Sequence, residues 1–357
     1  MNTAKRIFVI IILCLSLAMI PPGCSHESTS GHAANPQTAT EETRKDEEGR
    51  PSEERKIESK TGEEPKGKDN PEDLSEKTVE SAYPGLASGA LTYALLGMLP
   101  EGILLRAGEV TITTKDLDAE IAKAPAHLRE QLKKYKFFLL EQTATAKLLL
   151  LVAQKDAAEK KKDISGKTDN DVITEYLQNL AAAIQVTDKE VTDFYEENKT
   201  MVPSGVSFEQ VKEEIRAHLL NQKQQKAVRE HIVTIAKRIA VTVSAPWVKE
   251  QDVVTKDNPV DKARASGMPT FVEFGASGCV PCDMMQPILE NLRKKYAGKL
   301  NIIFVHVGQE PVLGARYGIQ AIPVQVFFDK DGKEFFRHLG FYPQAEIEKK
   351  LSEIGVK

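Results

Sequence analysis

The sequence predicts an α+β multidomain chain, a mostly α-helical module followed by an α/β unit. Three observations carry this. Apolar residues recur at helical spacing from Leu128 through Leu132, Phe138, Leu139 and Leu149, and again from Val211 to Ile235. Beyond residue 262, the apolar runs Phe271–Phe274, Asn301–Val307 and Val324–Phe328 alternate with helical patterns, as strands buried on both faces do. The first of those runs leads directly into Cys279-Val280-Pro281-Cys282.

Composition narrows the possibilities. A chain of 357 residues holds about two domains at roughly 150 residues each. With 41% apolar and 28% charged residues it is not disordered throughout, collagenous or a multi-span membrane protein. A net charge of −4 without a strongly basic folded stretch argues against nucleic acid as a partner. Four cysteines, Cys14, Cys24, Cys279 and Cys282, are too few for a disulfide scaffold.

Residues 1–23 read as an export signal. Lys5 and Arg6 precede an apolar core that contains Cys14, and Pro21-Pro22-Gly23 lead to Cys24. The core from Ile7 to Ile20 is about 14 residues, short of the roughly 20 a spanning helix needs. Gly23-Cys24 resembles the processing point of bacterial lipoprotein signals, which implies lipidation at Cys24. Pro21 stands where such signals usually carry Leu, and an ordinary cleaved signal is the alternative. Residues 24–82 read as a disordered charged tether, because Glu pairs interleaved with Lys and Arg leave little to bury. About 55 such residues span roughly 40 Å.

Residues 83–246 read as the helical domain. Leu86–Leu96 suggests a short helix. Ile103–Leu105 and Val110–Ile112 flank Ala107-Gly108-Glu109 as a hairpin. Thr114 is placed as the N-cap of the next helix, and one long helix is expected from Pro125 into Ala158. Further helices are expected over Asp171–Ile184, after Thr187 with Glu190 completing a capping box, and from Ser207 to Ile235. Ile239–Val243 alternates and suits a strand that pairs with the hairpin.

Gly108-Glu109-Val110-Thr111-Ile112-Thr113, Val186–Lys199 and Phe208–Ile215 resemble SurA/PrsA-type extracytoplasmic chaperones over roughly Gly102 to Val243. The resemblance implies a SurA-like helical module with apolar grooves for unfolded clients, or else a scaffold. Many members of that family insert a parvulin-type prolyl isomerase after the Tyr-x-x-Asn helix. Here only Thr200 to Gly205 separates the two helices, so no prolyl isomerase activity is expected.

Residues 247–262, punctuated by Pro246 and Pro259, read as a linker. Residues 263–357 read as the last domain, and about Asn258 to Val356 resemble the thioredoxin family: strand, Cys-x-Pro-Cys, a helix containing Pro287, then Tyr317-Gly318-Ile319, Ile322-Pro323 and Gly340. The Asn301–Val307 run suits the centre of the sheet. A lone Cys-x-x-Cys also suits zinc, but zinc needs about four ligands and no second cysteine pair exists. His306 sits within an apolar run. No cofactor and no metal are expected.

A cysteine at a helix start is a good thiolate, because unpaired N–H groups and the helix dipole favour its charge. The thiolate is the attacking species in disulfide exchange. Cys279 is therefore read as the attacking sulfur and Cys282 as the resolving one, the two forming the redox disulfide. Pro281 fits the helix start. The resemblance implies a cis Pro323 that presents the Ile322 backbone to a substrate strand, and a buried acid at Glu273 that relays a proton to or from Cys282. This chain departs from the family pattern at three places: Gly278 in place of Trp, Val280 in place of Gly, and Phe304 in place of the Lys that partners the buried acid.

These features predict an extracytoplasmic thiol–disulfide oxidoreductase acting on client proteins with disulfides or unfolded segments. Ile322 before the proline leans the reading towards reduction, which requires a membrane thiol electron donor. The alternative is a periplasmic chaperone or assembly factor that uses the thioredoxin fold as a binding element.

Overall fold

The computed structural model describes residues 77–199, 202 and 205–357. The residues read as an export signal, Cys24 and nearly all of those read as a charged tether lie outside the described residues.

The chain opens with α1 (Val79–Ala82), whose cap Thr78 accepts from the Ser81 N–H. Strands β1 (Leu95–Gly97), β2 (Ile103–Ala107) and β3 (Val110–Thr113) follow. Then come α2 (Thr114–Lys123), α3 (Ala126–Lys134), α4 (Lys136–Glu159), α5 (Asp169–Ala182), α6 (Asp188–Glu197) and α7 (Phe208–Arg238). Helices α2, α5 and α6 start at reciprocal caps, Thr113 with Asp116, Thr168 with Asp171 and Thr187 with Glu190. Each cap satisfies two otherwise orphaned backbone donors. Strand β4 (Val241–Ser244) returns to the hairpin. It runs parallel to β1 and antiparallel to β2, giving the sheet order β1-β4-β2-β3.

Two helices lead into the second sheet, α8 (Ala245–Lys256) and α9 (Pro259–Arg264). After them come β5 (Thr270–Gly275), α10 (Val280–Lys295), β6 (Asn301–His306) and α11 (Pro311–Arg316). Strands β7 (Val324–Phe328) and β8 (Glu334–Leu339) and helix α12 (Gln344–Glu353) complete the chain. The sheet order is β6-β5-β7-β8, with β6 parallel to β5 and the other pairs antiparallel.

Successive residues of a strand face opposite sides, and β5 uses both. Phe271 joins Met285, Leu289, Phe327, Ile347 and Leu351 beneath α10 and α12. Val272 and Phe274 face the other way, into a core continuous with Leu105, Phe137, Leu140, Val243 and Val248. The helical module and the second sheet therefore share one apolar core. Helix α4 is apolar on most sides because it lies inside that core.

Polar bonds fix the seam. The Gln131 side chain of α3 donates to the Gln309 carbonyl at 2.6 Å and accepts from the Val312 N–H at 3.1 Å. Asp261 of α9, buried, pairs with the equally buried Arg316 of α11 and accepts from the Tyr317 hydroxyl at 2.8 Å. Arg316 also donates to the Gly85 carbonyl at 3.1 Å. Burial opposes the charge on Asp261, but Arg316 more than offsets it and holds the carboxyl below its ordinary range.

Several sequence expectations give way here. Order begins by Thr78, ahead of residue 83. Leu86–Leu96 is a series of turns ending in β1, not a helix. Its amides are taken up by a side chain instead: the buried Glu141 carboxylate accepts from Ser88 N at 3.0 Å, Gly89 N at 2.8 Å and Leu91 N at 3.1 Å. The expected long helix breaks at Tyr135 into α3 and α4. The N-cap of α2 is Thr113 rather than Thr114. The 247–262 linker is the helical pair α8 and α9, with Val248 and Val260 fully buried and Trp247 stacked on Phe137. Pro246 and Pro259 occupy first turns, where a missing N–H costs nothing. Strand β6 is an edge strand and mostly half-buried, since an apolar run shows depth but not which neighbours a strand acquires.

Candidate active site

Strand β5 is buried at every residue and delivers the chain to the start of α10. The turn between them needs Gly278, whose φ of 77° lies in the left-handed region that disfavours a bulky residue such as Trp. Cys279 is the N-cap of α10, with φ −97° and ψ 105°. Its side chain makes no cap hydrogen bond, and it stands at the positive end of the helix, where the first-turn N–H groups lack intrahelical partners. Pro281 sits within that first turn.

Cys279 and Cys282 are joined by a disulfide, with their Cα atoms 5.2 Å apart. Their environments differ. Cys282 is 1% exposed, whereas Cys279 is half-buried. Cys282 lies against Gly275 of β5, while Cys279, at the N-cap, precedes the helix. Val280 and Met284, 71% and 50% exposed, leave apolar surface on the first two turns of α10.

The loop is held from below by a residue that the sequence reading weighed only for zinc. The Ser277 N–H donates to Nε2 of His306 at 3.2 Å, which assigns the ring proton to Nδ1. Among the described residues, no group of three or more His, Cys, Asp or Glu side chains is arranged to hold a metal.

Glu273 is completely buried. Burial raises its carboxyl from an ordinary 4.5 to about 8, slightly opposed by the charge of Arg293. Two residues further along the same face, a Cβ built on Gly275 would lie 3.5 Å from Sγ of Cys282. Glu273 therefore stands about 7 Å from that point along the strand, within reach of a water-mediated proton transfer. Its register partner on β6 is Phe304, so no cation faces it there. On β7 its register partner is Gln325, buried and also without a hydrogen-bond partner. Gln325 is paired in turn with His338 of β8. The sequence reading missed both. A Gln inside the otherwise apolar run Val324–Phe328 was the available signal.

The Ile322–Pro323 peptide is cis. Pro323 is buried and Ile322 half-buried, and the Pro323 carbonyl accepts from the Gly340 N–H at 2.8 Å. The structure thus places Cys279, Pro281 and Cys282 in one turn and Glu273 beneath it, with Ile322-Pro323 in the loop entering β7.

One accessible sulfur bonded to one buried sulfur, at a helix start and above a buried neutral carboxyl, defines a domain built for disulfide exchange. Residues 257–355 match the thioredoxin-like domain family model. The chain is 34% identical over 101 residues to the thioredoxin of Staphylococcus epidermidis, covering 28% of this chain and 95% of that one. It is 33% identical over 106 residues to the chloroplastic M-type thioredoxin of Pisum sativum, covering 30% of this chain and 61% of that protein. It is also 33% identical over 118 residues to the chloroplastic thioredoxin M4 of Arabidopsis thaliana, 58% of which is covered. The chain thus spans about six tenths of the length of these two chloroplast relatives. The crystal structure of thioredoxin NaTrxh from Nicotiana alata overlays on 27% of this chain with a TM-score of 0.25 and 26% identity. Through its C-terminal domain, the chain belongs to the thioredoxin family.

Proposed function

We propose that the protein is an exported, membrane-tethered thiol–disulfide oxidoreductase that exchanges the disulfides of client proteins. The observation that carries this is the Cys279–Cys282 disulfide at the start of α10, with one sulfur accessible and one buried.

In the reducing direction, the Cys279 thiolate attacks a client disulfide. The client S–S bond breaks, a mixed disulfide forms, and the departing client thiolate takes a proton from solvent. Cys282 gives its proton, through water, to Glu273 in its ionised form, a fraction that grows as pH nears 8. Its thiolate then attacks Cys279 Sγ and expels the second client sulfur as a thiolate, which takes a proton from solvent. Two electrons pass to the client, and the domain is left oxidised. A dithiol donor outside the domain restores the cysteines, and for an exported protein this is a membrane thiol carrier. The backbone of Ile322, ahead of cis-Pro323, pairs with the client strand during attack.

The export signal, lipidation at Cys24 and the charged tether would hold this domain to a membrane facing an extracytoplasmic compartment. The SurA-like helical module would hold the client. It carries no prolyl isomerase, so a proline-peptide assay should match the uncatalysed rate.

A second reading, a chaperone or assembly factor with a subordinate thioredoxin domain, draws on one observation. Helix α7 runs 31 residues with few of them fully buried, leaving a long face for a partner. Insulin reduction in the presence of dithiothreitol separates the two. Oxidoreductase function requires turnover above background that is lost when Cys279 and Cys282 are replaced by Ser. Full client rescue by the double-Ser protein would favour the chaperone.

A further inference from the structure

A cleft of about 890 Å³ opens between α7 and the second sheet. Its walls come from opposite ends of the sequence. Asn221, Lys226 and Arg229 of α7 form one side, and Tyr317 and the β7–β8 face form the other. The Gly85–Ser88 turn, pinned by Glu141 and Arg316, closes one end. Gln320, Ala321 and Val324 also line it, so the cleft borders Ile322-Pro323 on both sides in sequence.

The charge in this cleft is unbalanced. Among the described residues that line it, Glu334 carries the one carboxylate, and both its oxygens are engaged by Arg337 at 2.8 Å. Lys226 reaches only Glu230, at 3.8 Å. Arg229 is exposed in the cleft and makes no hydrogen bond or ion pair among the described residues. Partial desolvation and, second, the charge of Arg337 disfavour its charge, and Glu230 on the same helix offsets them only in part. Behind them Arg264 and Arg316 are committed to Asp261. Arg337 is fully engaged, its third nitrogen donating to the Tyr317 carbonyl at 2.9 Å, so the cations left to meet an anionic group in the cleft are Arg229 and Lys226. A guanidinium recognises carboxylates through directional, charge-assisted bonds.

We propose that this cleft is the client site, and that it takes extended polypeptide segments carrying Asp or Glu close to the disulfide to be exchanged. The proposal rests on the oxidoreductase reading and adds a substrate class to it. Its position supplies the argument for a polypeptide: an occupant lying across Arg229 continues past Ala321 to Ile322-Pro323, next to Val324, the register partner of Phe274 on the strand that leads to Cys279. Holding a client beside that loop raises its effective concentration at Cys279.

The test uses the full chain and three disulfide-bridged peptides that differ only in flanking residues: acidic, neutral amide or basic. With dithiothreitol as recycling reductant, kcat/KM should favour the acidic over the basic peptide by about tenfold or more at low salt, with the preference shrinking as salt rises. Arg229→Glu should bring the ratio to about one or invert it. Because the readout is a ratio, a general loss of activity cancels, and circular dichroism checks the fold. In parallel, fluorescence anisotropy with a cysteine-free acidic peptide measures binding without catalysis.

Equal kcat/KM across the series, with no anisotropy change, would overturn the client site and leave the oxidoreductase reading intact. Acidic-peptide binding that Arg229→Glu abolishes, with no peptide reduced, would support the cleft and defeat the oxidoreductase reading. A synthetic peptide of residues 41–64, rich in Glu pairs, is the control for an occupant from the chain itself. If that peptide binds and the acidic client peptide does not, the proposal fails.

Discussion

Glu273 and Gln325 are register partners across β5 and β7, and all four polar side-chain atoms of the pair are buried without a hydrogen-bond partner. Directly opposed residues in an antiparallel pair have Cβ atoms about 5 Å apart. A small rotation can therefore bring the amide against the carboxyl. The pair places a switchable donor beside the group that must gain and lose a proton.

The first prediction follows from the raised carboxyl. Folded Glu273 holds its proton up to about pH 8, whereas the ordinary value is 4.5. The folded chain therefore binds more protons than the unfolded chain between these limits. From this residue, stability falls as pH rises from 4.5 to about 8 and is level on either side. Glu273→Gln should lack that slope in denaturant unfolding measured across this range. The same change should lower the resolving step by about tenfold or more and remove its rise with pH. An unchanged pH–rate profile would exclude Glu273 from the proton path.

The second prediction concerns its neighbour. Donors to a carboxylate favour the charged form. Gln325→Leu removes the amide and should move the Glu273 carboxyl further up. The rising limb of the pH–rate profile should shift to higher pH, with little change in the attack by Cys279. A limb that stays in place would mean that the amide never reaches the acid.

Asymmetry between the sulfurs gives the third. Cys279→Ser should abolish reduction of any disulfide. Cys282→Ser keeps the accessible sulfur and loses the resolving one, so mixed disulfides with clients should accumulate and be seen by mass spectrometry under non-reducing conditions. If Cys279→Ser traps the client instead, the assignment of roles is reversed.

Asp261 supplies the fourth. It neutralises Arg316, which is buried and also ties the Gly85 turn to α11. Asp261→Ala leaves a buried guanidinium without its counter-ion, which costs about 3–5 kcal/mol. Denaturant unfolding should show that loss. A change below about 1 kcal/mol would mean that the seam is solvated and carries little of the fold's stability.

Some of this was legible in the residues themselves. The Cys-x-Pro-Cys turn, the strand before it, the helix after it and the Ile-Pro step all lie in short continuous stretches. Local periodicity and turn chemistry suffice to read them. The buried acid at Glu273 was supplied by the family resemblance rather than by the local pattern. The capping box at Thr187 was read from two residues alone. The 247–262 helices were not legible, because proline at a helix start and proline in a linker look the same without the partner surface that buries Val248 and Val260. Leu86–Leu96 was misread because its amides are satisfied by Glu141, some 50 residues away in sequence.

The sequence by itself determined the dithiol, the order of the strands and helices around it and the helical character of the preceding module, because each of these is written in neighbouring residues. Only the tertiary structure decided that β6 lies at an edge, that Gln325 faces Glu273, that His306 holds the Ser277 amide, and that Arg229 meets Arg337 across a cleft. Those relationships join residues whose separation along the chain carries no periodic signal. They come into being when one shared core draws the helical module against the sheet.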